Sequence, residues 1–386
     1  MTPAARWAAA AENLDRIRGG TPAEKALINW ARASRFAGSK DRAAVRDHVF
    51  DILRCLRSAA ALGGGDDGRR MVLGRLRQTG IDPDIIFTGQ GYAMAPLTEA
   101  ERHGGHAPSG AESRDLPDWL DAHFARTLGA EAAPVAEALR HRAAVFLRVN
   151  TAKATPETAR LALEDAGIET APHDLSPTAL EVLSNPRRVQ QSPPFLNGLV
   201  ELQDAASQAV VDALPLEQGM RVLDYCAGGG GKALAMAARL HGPVEAHDID
   251  RGRMADLPAR AERAGAAITR VDAPRGTYDL VLCDVPCSGS GAWRRSPEGK
   301  WRLTPEGLAE LQQRQASILD AAAALVGQNG VLAYATCSVL PDENDHQIDA
   351  FLAARSDWVC LKQHRFLPHQ GNDGFFVAIL ARGGTQ

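Results

Sequence analysis

Long apolar runs are missing from this sequence of 386 residues. No run approaches the roughly 18 residues that a helix needs to cross a bilayer. The stretch 1–11 is interrupted by Arg6 and followed by Glu12, so it lacks the apolar centre of a signal peptide. We therefore expect a cytoplasmic protein that does not contact a membrane.

Cysteines in close pairs are also missing. The six cysteines are scattered along the chain, at Cys55, Cys226, Cys283, Cys287, Cys337 and Cys360. Without a secretory signal, scattered cysteines argue against a disulfide framework, and without a Cys-x-x-Cys pair they argue against zinc. We expect free thiols and no bound metal.

The composition lacks the bias of disordered or fibrous chains. Hydrophobic residues make up 45% and charged residues 23%, which is typical of globular proteins, and the length predicts two or three domains. Residues 1–100 carry 15 Lys and Arg against 11 Asp and Glu, while the rest carries 28 against 36. Arginine, whose planar guanidinium suits phosphate, supplies 37 of the 43 basic residues. The front of the chain is therefore the candidate for contact with an anionic partner.

The first hundred residues have helical spacing. Thr21, Pro22 and Glu24 predict a helix start with a capping box. A second helix is predicted after Asp41, because apolar residues recur on one face. These residues are Val45, Val49, Ile52, Leu53 and Leu56. The arginines between them form either a solvated face or a surface for RNA, and they are Arg42, Arg46, Arg54 and Arg57.

Glycine and proline become frequent over 89–114, which predicts a linker. Downstream, short apolar runs and helical spacing alternate. The predicted elements are helices over 116–142 and 156–166 and strands over 145–149 and 178–183. We therefore expect a helical domain over 1–105, a small α+β module over 115–195 and an α/β domain over 196–386.

From residue 200, short apolar strands alternate with longer helices, as in a doubly wound parallel sheet. The predicted strands are 221–224, 244–248, 268–271, 279–284 and 331–335. The predicted helices are 207–214, 232–240, 305–326 and 343–354. In such a sheet the functional residues lie at the carboxyl ends of the strands.

A glycine loop follows the first of these strands and opens a helix. A Walker loop is disfavoured, because Cys226 stands where it needs glycine and Ala233 where it needs Ser or Thr. Asp248 ends the next strand about 20 residues later, where an acid would hold a ribose. The glycine loop and Asp248 together fit either NAD or S-adenosylmethionine as the ligand.

Two later strand ends each carry a cysteine in a turn. Cys287 lies in Asp-Val-Pro-Cys-Ser-Gly and Cys337 in Ala-Thr-Cys-Ser. Buried cysteines behave as small hydrophobes, which is our interpretation of Cys55, Cys283 and Cys360. Two thiols in polar turns at one sheet edge instead indicate covalent chemistry.

Several motifs in order resemble those of the RsmB/Nop/Sun family of RNA 5-methylcytosine methyltransferases, most of all the branch that acts on bacterial 16S ribosomal RNA. They are Gln203-Asp204-Ala205-Ala206-Ser207, Asp224-x-Cys-Ala-x-x-Gly-Gly-Lys232, Asp248, Asp272, Asp284-x-Pro-Cys-Ser-Gly289, Thr336-Cys337-Ser338 and Asp373-Gly374-Phe375-Phe376. The resemblance is dense over 190–386. Upstream, Arg148-Val149-Asn150-x-x-Lys153 is similar to the family's RNA-binding module, and Asp41-Arg42 with its helix is more weakly similar to a NusB-like domain.

The resemblance implies a Rossmann-like class I methyltransferase domain, preceded by a helical NusB-like domain and a small α+β RNA-binding module. It also implies S-adenosylmethionine as the cofactor. Asp248 would hold the ribose, Asp272 the adenine amine, and Asp284 would contribute to the cofactor and cytosine sites. The loop around the methionine part would be Cys226, Ala227, Gly228, Gly229, Gly230, Gly231 and Lys232.

By the same resemblance Cys337 is the nucleophile that attacks carbon 6 of cytosine, and Cys287 assists release of the product. Pro286-Cys287 also resembles the nucleophile motif of DNA cytosine methyltransferases, which keeps the reverse assignment open. We expect RNA as the partner and a monomeric protein. Transfer RNA is the alternative substrate, and a noncatalytic RNA-binding assembly factor is the alternative function.

Two further features have open interpretations. The segment 291–302 contains Trp293, Trp301 and several cations, so it is either a clamp for flipped-out RNA or an ordinary solvated connection with tryptophan packed inward. Lys153 is either a phosphate contact or an ordinary surface lysine.

Overall fold

The computed structural model describes residues 1–383. Their internal contacts divide the chain into two compact units. The first consists of residues 1–142 and 293–303, and the second of residues 143–292 and those from 304 onward. The chain thus leaves the second unit after residue 292 and returns to it at residue 304.

The first unit is helical. Its helices up to residue 142 are α1 (Pro3–Arg18), α2 (Ala23–Ala33), α3 (Ser39–Arg54), α4 (Leu56–Gly63), α5 (Gly68–Thr79), α6 (Glu99–His103), α7 (Gly110–Arg114), α8 (Asp118–Leu128) and α9 (Ala132–Ala138). Val45, Val49 and Leu53 lie at four-residue spacing on α3 and are buried in one apolar cluster with Leu14 of α1 and Leu73 of α5. The predicted apolar face of α3 is confirmed.

The predicted capping box at Thr21 is wrong. Helix α2 begins at Ala23 after Pro22, and no side chain caps it from within the predicted box. The Ala23 N–H instead donates to the Glu298 carboxylate at 3.1 Å, while Glu24 pairs with Arg46. A carboxylate distant in sequence therefore accepts the hydrogen bond of the first N–H group of α2.

Residues 89–114 are held against the first unit and contain α6 and α7. Arg77 on α5 donates hydrogen bonds to four carbonyl oxygens of α4 and this segment. The four are those of Leu62, Glu101, Arg102 and Gly104. The segment predicted as a linker is therefore a packed part of the first unit.

The second unit begins with a small antiparallel sheet. Its elements are β1 (Phe146–Val149), α10 (Pro156–Asp165), β2 (Thr170–Pro172), β3 (Ala179–Val182), α11 (Pro193–Leu196) and β4 (Val200–Leu202). The strands lie in the order β2-β3-β1-β4, and Leu147 and Leu180 pack against Leu163 of α10. The sequence did not predict β2 and β4, because three residues are too few to show alternation.

A seven-stranded sheet with helices on both faces forms the rest of this unit. The remaining elements of the chain are α12 (Ala205–Asp212), β5 (Val222–Asp224), α13 (Gly231–Leu240), β6 (Val244–Ala246), α14 (Leu257–Ala264), β7 (Ile268–Arg270), β8 (Tyr278–Asp284), α15 (Glu298–Arg302), α16 (Pro305–Ala323), β9 (Val326–Thr336), α17 (Asp345–Ala354), β10 (Trp358–Phe366) and β11 (Phe375–Arg382). Helix α15 belongs to the first unit.

The strand order is β10-β11-β9-β8-β5-β6-β7. The strands from β9 to β7 are parallel to one another, and β11 is antiparallel to both of its neighbours. On β8, Leu280 and Leu282 face one apolar cluster, and Val281 and Cys283 face the other. The predicted fold class is confirmed, namely a doubly wound, mainly parallel sheet that follows a helical region and a small α+β module.

Three elements at the end of the chain differ from the prediction. Helix α16 ends at Ala323 rather than 326, because Val326 already pairs with Tyr278 as the start of β9. Strands β10 and β11 were not predicted, and β10 carries a polar run over 362–365 that hides its apolar alternation.

All six cysteines are free, as predicted. Across residues 1–383, no helix is long and apolar enough to span a bilayer.

Candidate active site

Parallel strands end side by side at one edge of the seven-stranded sheet. Asp224, the last residue of β5, is in register with Leu282 on β8, and Asp284 is in register with Ala335 on β9. The residues that follow these strands are therefore neighbours in space. This edge carries most of the site residues predicted from the sequence.

Cys287 and Cys337 meet at this edge. They follow β8 and β9, and their sulfur atoms lie 3.4 Å apart without forming a disulfide. Fifty residues separate them along the chain, so the parallel pairing of β8 with β9 brings them together. Both side chains are partly exposed.

Three thiols near this edge, those of Cys287, Cys226 and Cys283, have a raised pKa. The hydrogen bond with Cys337 and burial raise the pKa of Cys287 well above its usual range. Burial also raises the pKa of Cys226 and of Cys283. These three residues therefore stay protonated at neutral pH, and Cys287 can donate its proton toward the sulfur of Cys337.

A buried lysine joins the glycine loop to the end of β8. The Lys232 ammonium donates to the Asp284 carboxylate at 2.7 Å and lies 5.0 Å from the centre of the Phe375 ring. Lys232 thus places its own positive charge among the carboxylates at this edge. Removing it would leave buried negative charge without a partner.

Asp224 is the most unusual carboxyl group of the site. Its side chain is 1% exposed, and neither oxygen has a hydrogen-bond donor in good geometry. Burial and then the nearby Asp284 charge raise its pKa to about 7, although the Lys232 charge and the Ala233 N–H lower it in part. A buried carboxyl without a full set of donors is suited to a cationic ligand. Sequence reasoning gave Asp224 no role, although it begins the motif Asp-x-Cys-Ala.

The loop between β5 and α13 requires glycine. Gly228 and Gly230 have positive φ angles of 50° and 78°. A Cβ atom on Gly230 would lie 2.1 Å from the side chain of Leu257. Glycine is therefore needed at both positions for its backbone conformation and, at Gly230, for the close packing of Leu257.

The two further acids predicted for the cofactor have different surroundings. Asp248 is buried, and its carboxylate accepts from the Gly228 N–H at 3.0 Å and pairs with Arg253 at 3.2 Å. Asp272 is exposed after β7 and pairs with Arg251. The structure brings Asp248 to the glycine loop and leaves Asp272 on the surface.

Two arginines hold the outer carbonyl oxygens of the glycine loop. Arg148 on β1 is buried and donates to the Gly231 oxygen at 2.6 Å. Arg260 on α14 donates to the Gly229 oxygen and is itself paired with Glu201 on β4 at 3.4 Å. The small sheet therefore supports the glycine loop.

The remaining residues of the Arg148-Val149-Asn150-x-x-Lys153 motif hold the end of a helix. The Asn150 amide donates to the Ala264 oxygen at 2.8 Å, and the Lys153 ammonium donates to the Arg263 oxygen at 2.7 Å. A cation is favourable at the carboxyl end of a helix such as α14. Lys153 is therefore an exposed lysine, as one of the two interpretations expects, and its ammonium also holds the end of α14.

The segment 293–303 is a packed connection rather than an RNA clamp. Lys300 is 0% exposed and donates to the Arg54 oxygen at 3.1 Å, and burial lowers its pKa to about 8. The Trp301 ring N–H donates to the Leu53 oxygen at 2.7 Å. Trp293 is buried as well.

The basic face predicted on α3 is largely engaged inside the first unit. Arg54 donates to the Arg294 oxygen, and Arg57 pairs with Asp118. Arg46 pairs with Glu24, as described above. Among the described residues, Arg42 is the one arginine of the predicted face that is exposed and has no such partner.

Comparison with known proteins gives two family matches. Residues 211–381 match the family described as 16S rRNA methyltransferase RsmB/F, and residues 116–190 match the ferredoxin-like domain of RsmF/B-like methyltransferases. The chain is 35% identical over 284 residues to the ribosomal RNA small subunit methyltransferase B of Proteus mirabilis, 36% over 259 residues to that of Citrobacter koseri and 34% over 292 residues to that of Serratia proteamaculans. These matches cover 70, 64 and 70% of this chain and 66, 60 and 67% of the relatives. The matched part thus spans about two thirds of the relatives' length or slightly less.

Solved structures share the fold. The crystal structure of PH0851 superposes with a TM-score of 0.76 at 24% identity, over 99% of both chains. The structure of NSun6 from Pyrococcus horikoshii with SFG has a TM-score of 0.62 at 18% identity, over 69% of this chain and 98% of that one. At these identities the likeness concerns the fold alone.

Proposed function

Because this chain belongs to the 16S rRNA methyltransferase RsmB/F family, we propose that it methylates carbon 5 of a cytosine in RNA, with S-adenosylmethionine as the donor and 16S ribosomal RNA as the substrate. The pair of thiols 3.4 Å apart at the sheet edge carries the cytosine assignment. In this proposal, residues 1–105 and 115–195 contact RNA, and residues 196–386 bind the cofactor and catalyse the transfer.

Two thiols suit this reaction because carbon 5 of cytosine is a poor nucleophile. A thiolate that adds to carbon 6 forms an S–C bond and makes carbon 5 electron-rich, so that it can accept the methyl group. Loss of the proton on carbon 5 then allows the S–C bond to break and its electron pair to return to sulfur. One thiol forms the adduct, and the second assists its release.

The surroundings of the thiols favour Cys337 as the nucleophile. The raised pKa of Cys287 keeps that residue protonated, and its sulfur lies 3.4 Å from the Cys337 sulfur, within hydrogen-bond distance. Cys287 can therefore donate a hydrogen bond to a thiolate on Cys337. In this proposal Asp284, which accepts from Lys232 at the end of β8, binds the polar edge of the base.

The glycine loop and its acids fit S-adenosylmethionine, which supplies an electrophilic methyl group when bound. Gly228 and Gly230 give the loop the positive φ angles of its turn into α13. Asp248 is buried beside the loop and can accept from ribose hydroxyls. Asp224 has carboxylate oxygens that lack protein donors, and a ligand with ammonium and sulfonium charges would balance its negative charge.

Replacing Asp248 with alanine should weaken S-adenosylmethionine binding. The ribose hydroxyls would lose their acceptor and the Gly228 N–H its partner, at a cost of about 1 to 3 kcal/mol, so the Kd should rise by roughly 5- to 150-fold. Calorimetry measures this change. Asp349→Ala, at an exposed acid of α17, is the control and should leave the Kd unchanged, and an unchanged Kd in Asp248→Ala would remove Asp248 from the ribose role.

Two exposed arginines and two exposed rings form a candidate RNA surface on the first unit. Within residues 1–383, Arg32 and Arg35 carry no ion pair or hydrogen bond and are exposed. Phe36 and Tyr92 are 71% and 84% exposed, and their rings stack with centroids 6.3 Å apart. Exposed rings beside cations suit stacked bases and phosphates.

The double variant Arg32→Ala/Arg35→Ala should flatten the salt dependence of RNA affinity. Each lost phosphate contact lowers the slope of log K against log salt by roughly 0.7 to 0.9. Lys362→Ala, an exposed lysine on β10, is the control that should keep the slope. Phe36→Ala should weaken binding without changing the slope, and an unchanged slope in the double arginine variant would exclude this surface.

Bisulfite mapping of RNA from a deletion strain tests the proposed activity. Loss of one methylated cytosine from 16S ribosomal RNA, restored by the wild-type gene but not by a Cys337→Ala copy, is the expected result. Loss from a transfer RNA would replace the substrate. No change in any RNA would favour a noncatalytic assembly factor.

A further inference from the structure

The buried carboxylate of Glu343 is hydrogen-bonded to the turns that contain Cys287 and Cys337, and it has no part in the chemistry described above. Glu343 ends the short turn 341–343 between β9 and α17, and its side chain is 0% exposed. A buried carboxylate is costly unless donors surround it. The identity of its donors therefore indicates what it stabilises.

The donors come from the residues that directly follow the two cysteines. Ser288 follows Cys287, and its N–H and hydroxyl donate to the Glu343 carboxylate at 2.8 and 2.5 Å. Ser338 follows Cys337, and its hydroxyl donates at 2.5 Å to the same oxygen, Oε2, that accepts from the Ser288 hydroxyl. Oε2 of Glu343 thus accepts hydrogen bonds from both of the serines that follow the two cysteines.

The carboxylate is itself held in place from two sides. The Gln315 amide on α16 donates to Glu343 Oε1 and to the Pro286 oxygen, both at 3.0 Å. The Tyr334 hydroxyl on β9 donates to the Glu343 backbone oxygen at 2.7 Å. Glu343 is therefore held in one position by these hydrogen bonds, and both cysteine turns are in turn hydrogen-bonded to its carboxylate.

We propose that Glu343 is a positioning residue that sets the separation of Cys287 and Cys337 by binding Ser288 and Ser338 with one carboxylate. Hydrogen bonds to a charged acceptor are short and about twice as strong as neutral ones. A serine hydroxyl reaches only one bond beyond Cβ, so a bond to Oε2 leaves the adjacent cysteine little freedom. The proposal rests on the proposed function only for its effect on catalysis, because the thiol separation is measurable without RNA.

The rate of disulfide formation between Cys287 and Cys337 serves as a measure of their separation. Diamide takes up two hydrogens as the thiols join, and mass spectrometry detects the loss of those hydrogens from the protein. Glu343→Gln should slow this reaction about tenfold or more, since a shift of the order of 1 Å between reacting groups has effects of that size. Glu310→Gln, on the exposed face of α16, is the matched control and should match the wild type.

Glu343→Gln also removes a negative charge, and this effect should speed disulfide formation rather than slow it. The Glu343 charge is one cause of the raised pKa of Cys287, so its removal should make that thiol more reactive. Iodoacetamide alkylation of Cys287→Ser and Cys337→Ser versions measures this intrinsic reactivity and corrects for it. The double variant Ser288→Ala/Ser338→Ala keeps the carboxylate and should show the same slowing, which covers the case in which Glu343→Gln fails to fold.

With RNA, Glu343→Gln should lower kcat with little change in KM and should accumulate a covalent protein–RNA adduct. Normal disulfide rates in both Glu343→Gln and Ser288→Ala/Ser338→Ala would overturn the positioning role, whatever the RNA results. Slow disulfide formation in both variants supports it. If the wild type then methylates no RNA, the proposed function fails while the positioning of the two thiols stands.

Discussion

Cys337→Ala should abolish both methyl transfer and the covalent protein–RNA adduct, whereas Cys287→Ala should accumulate the adduct. Cys337 provides the sulfur that bonds carbon 6, so its loss removes the first step. Without Cys287 the adduct still forms, but its breakdown is slow. Denaturing electrophoresis with labelled RNA separates the two outcomes, because only a covalent complex survives it.

Cys360→Ala is the control for this experiment, since Cys360 lies on β10 away from the strand ends that carry the site. It should methylate and release RNA as the wild type does. An adduct in Cys337→Ala and none in Cys287→Ala would make Cys287 the nucleophile. Methylation retained in both variants, with no adduct in either, would refute covalent catalysis.

Asp224→Asn should be more stable than the wild type at high pH and should lose this advantage in acid. The folded-state pKa of Asp224 is raised to about 7 from its ordinary value of 3.8. Its neutral form is therefore favoured in the fold, and this stability is fully present below pH 3.8 and lost as the pH rises through 7. The free energies of unfolding should differ between the two proteins by up to about 4 kcal/mol more at pH 8 than at pH 4.

Urea unfolding between pH 4 and pH 8 measures this difference. Asp349→Asn, an exposed acid on α17, is the control and should follow the wild type at every pH. S-adenosylmethionine affinity of the wild type should also rise as the pH passes 7, since the carboxylate then balances the cationic ligand. A difference between Asp224→Asn and the wild type that does not depend on pH would mean that Asp224 is ionised throughout.

Sequence reasoning succeeded where a local pattern fixes the outcome. The glycines between β5 and α13 and the strand ends at Asp224 and Asp284 follow from short apolar runs and from turn residues. The meeting of Cys287 with Cys337 follows from one further rule, because the carboxyl ends of parallel strands share an edge.

Long-range partners were not accessible to that reasoning. Nothing local shows that Lys300 lies buried against the Arg54 oxygen, or that Lys153 donates to the Arg263 oxygen at the end of α14. A charged side chain looks the same in sequence whether it faces water or a backbone carbonyl. Glu343 was missed for this reason, since Ser288 is 55 residues before it.

The interruption of the second unit by residues 293–303 affects how the chain folds during synthesis. The first unit cannot complete its core when residue 142 is made, because Trp293, which stacks on Phe124, and Lys300 have not yet been translated. At about 5 to 20 residues per second, the ribosome needs roughly 8 to 30 s to reach residue 303. During that interval the Phe124 ring and the Leu53 carbonyl lack their final partners, so the helical unit reaches its final packing only after residue 303 is made.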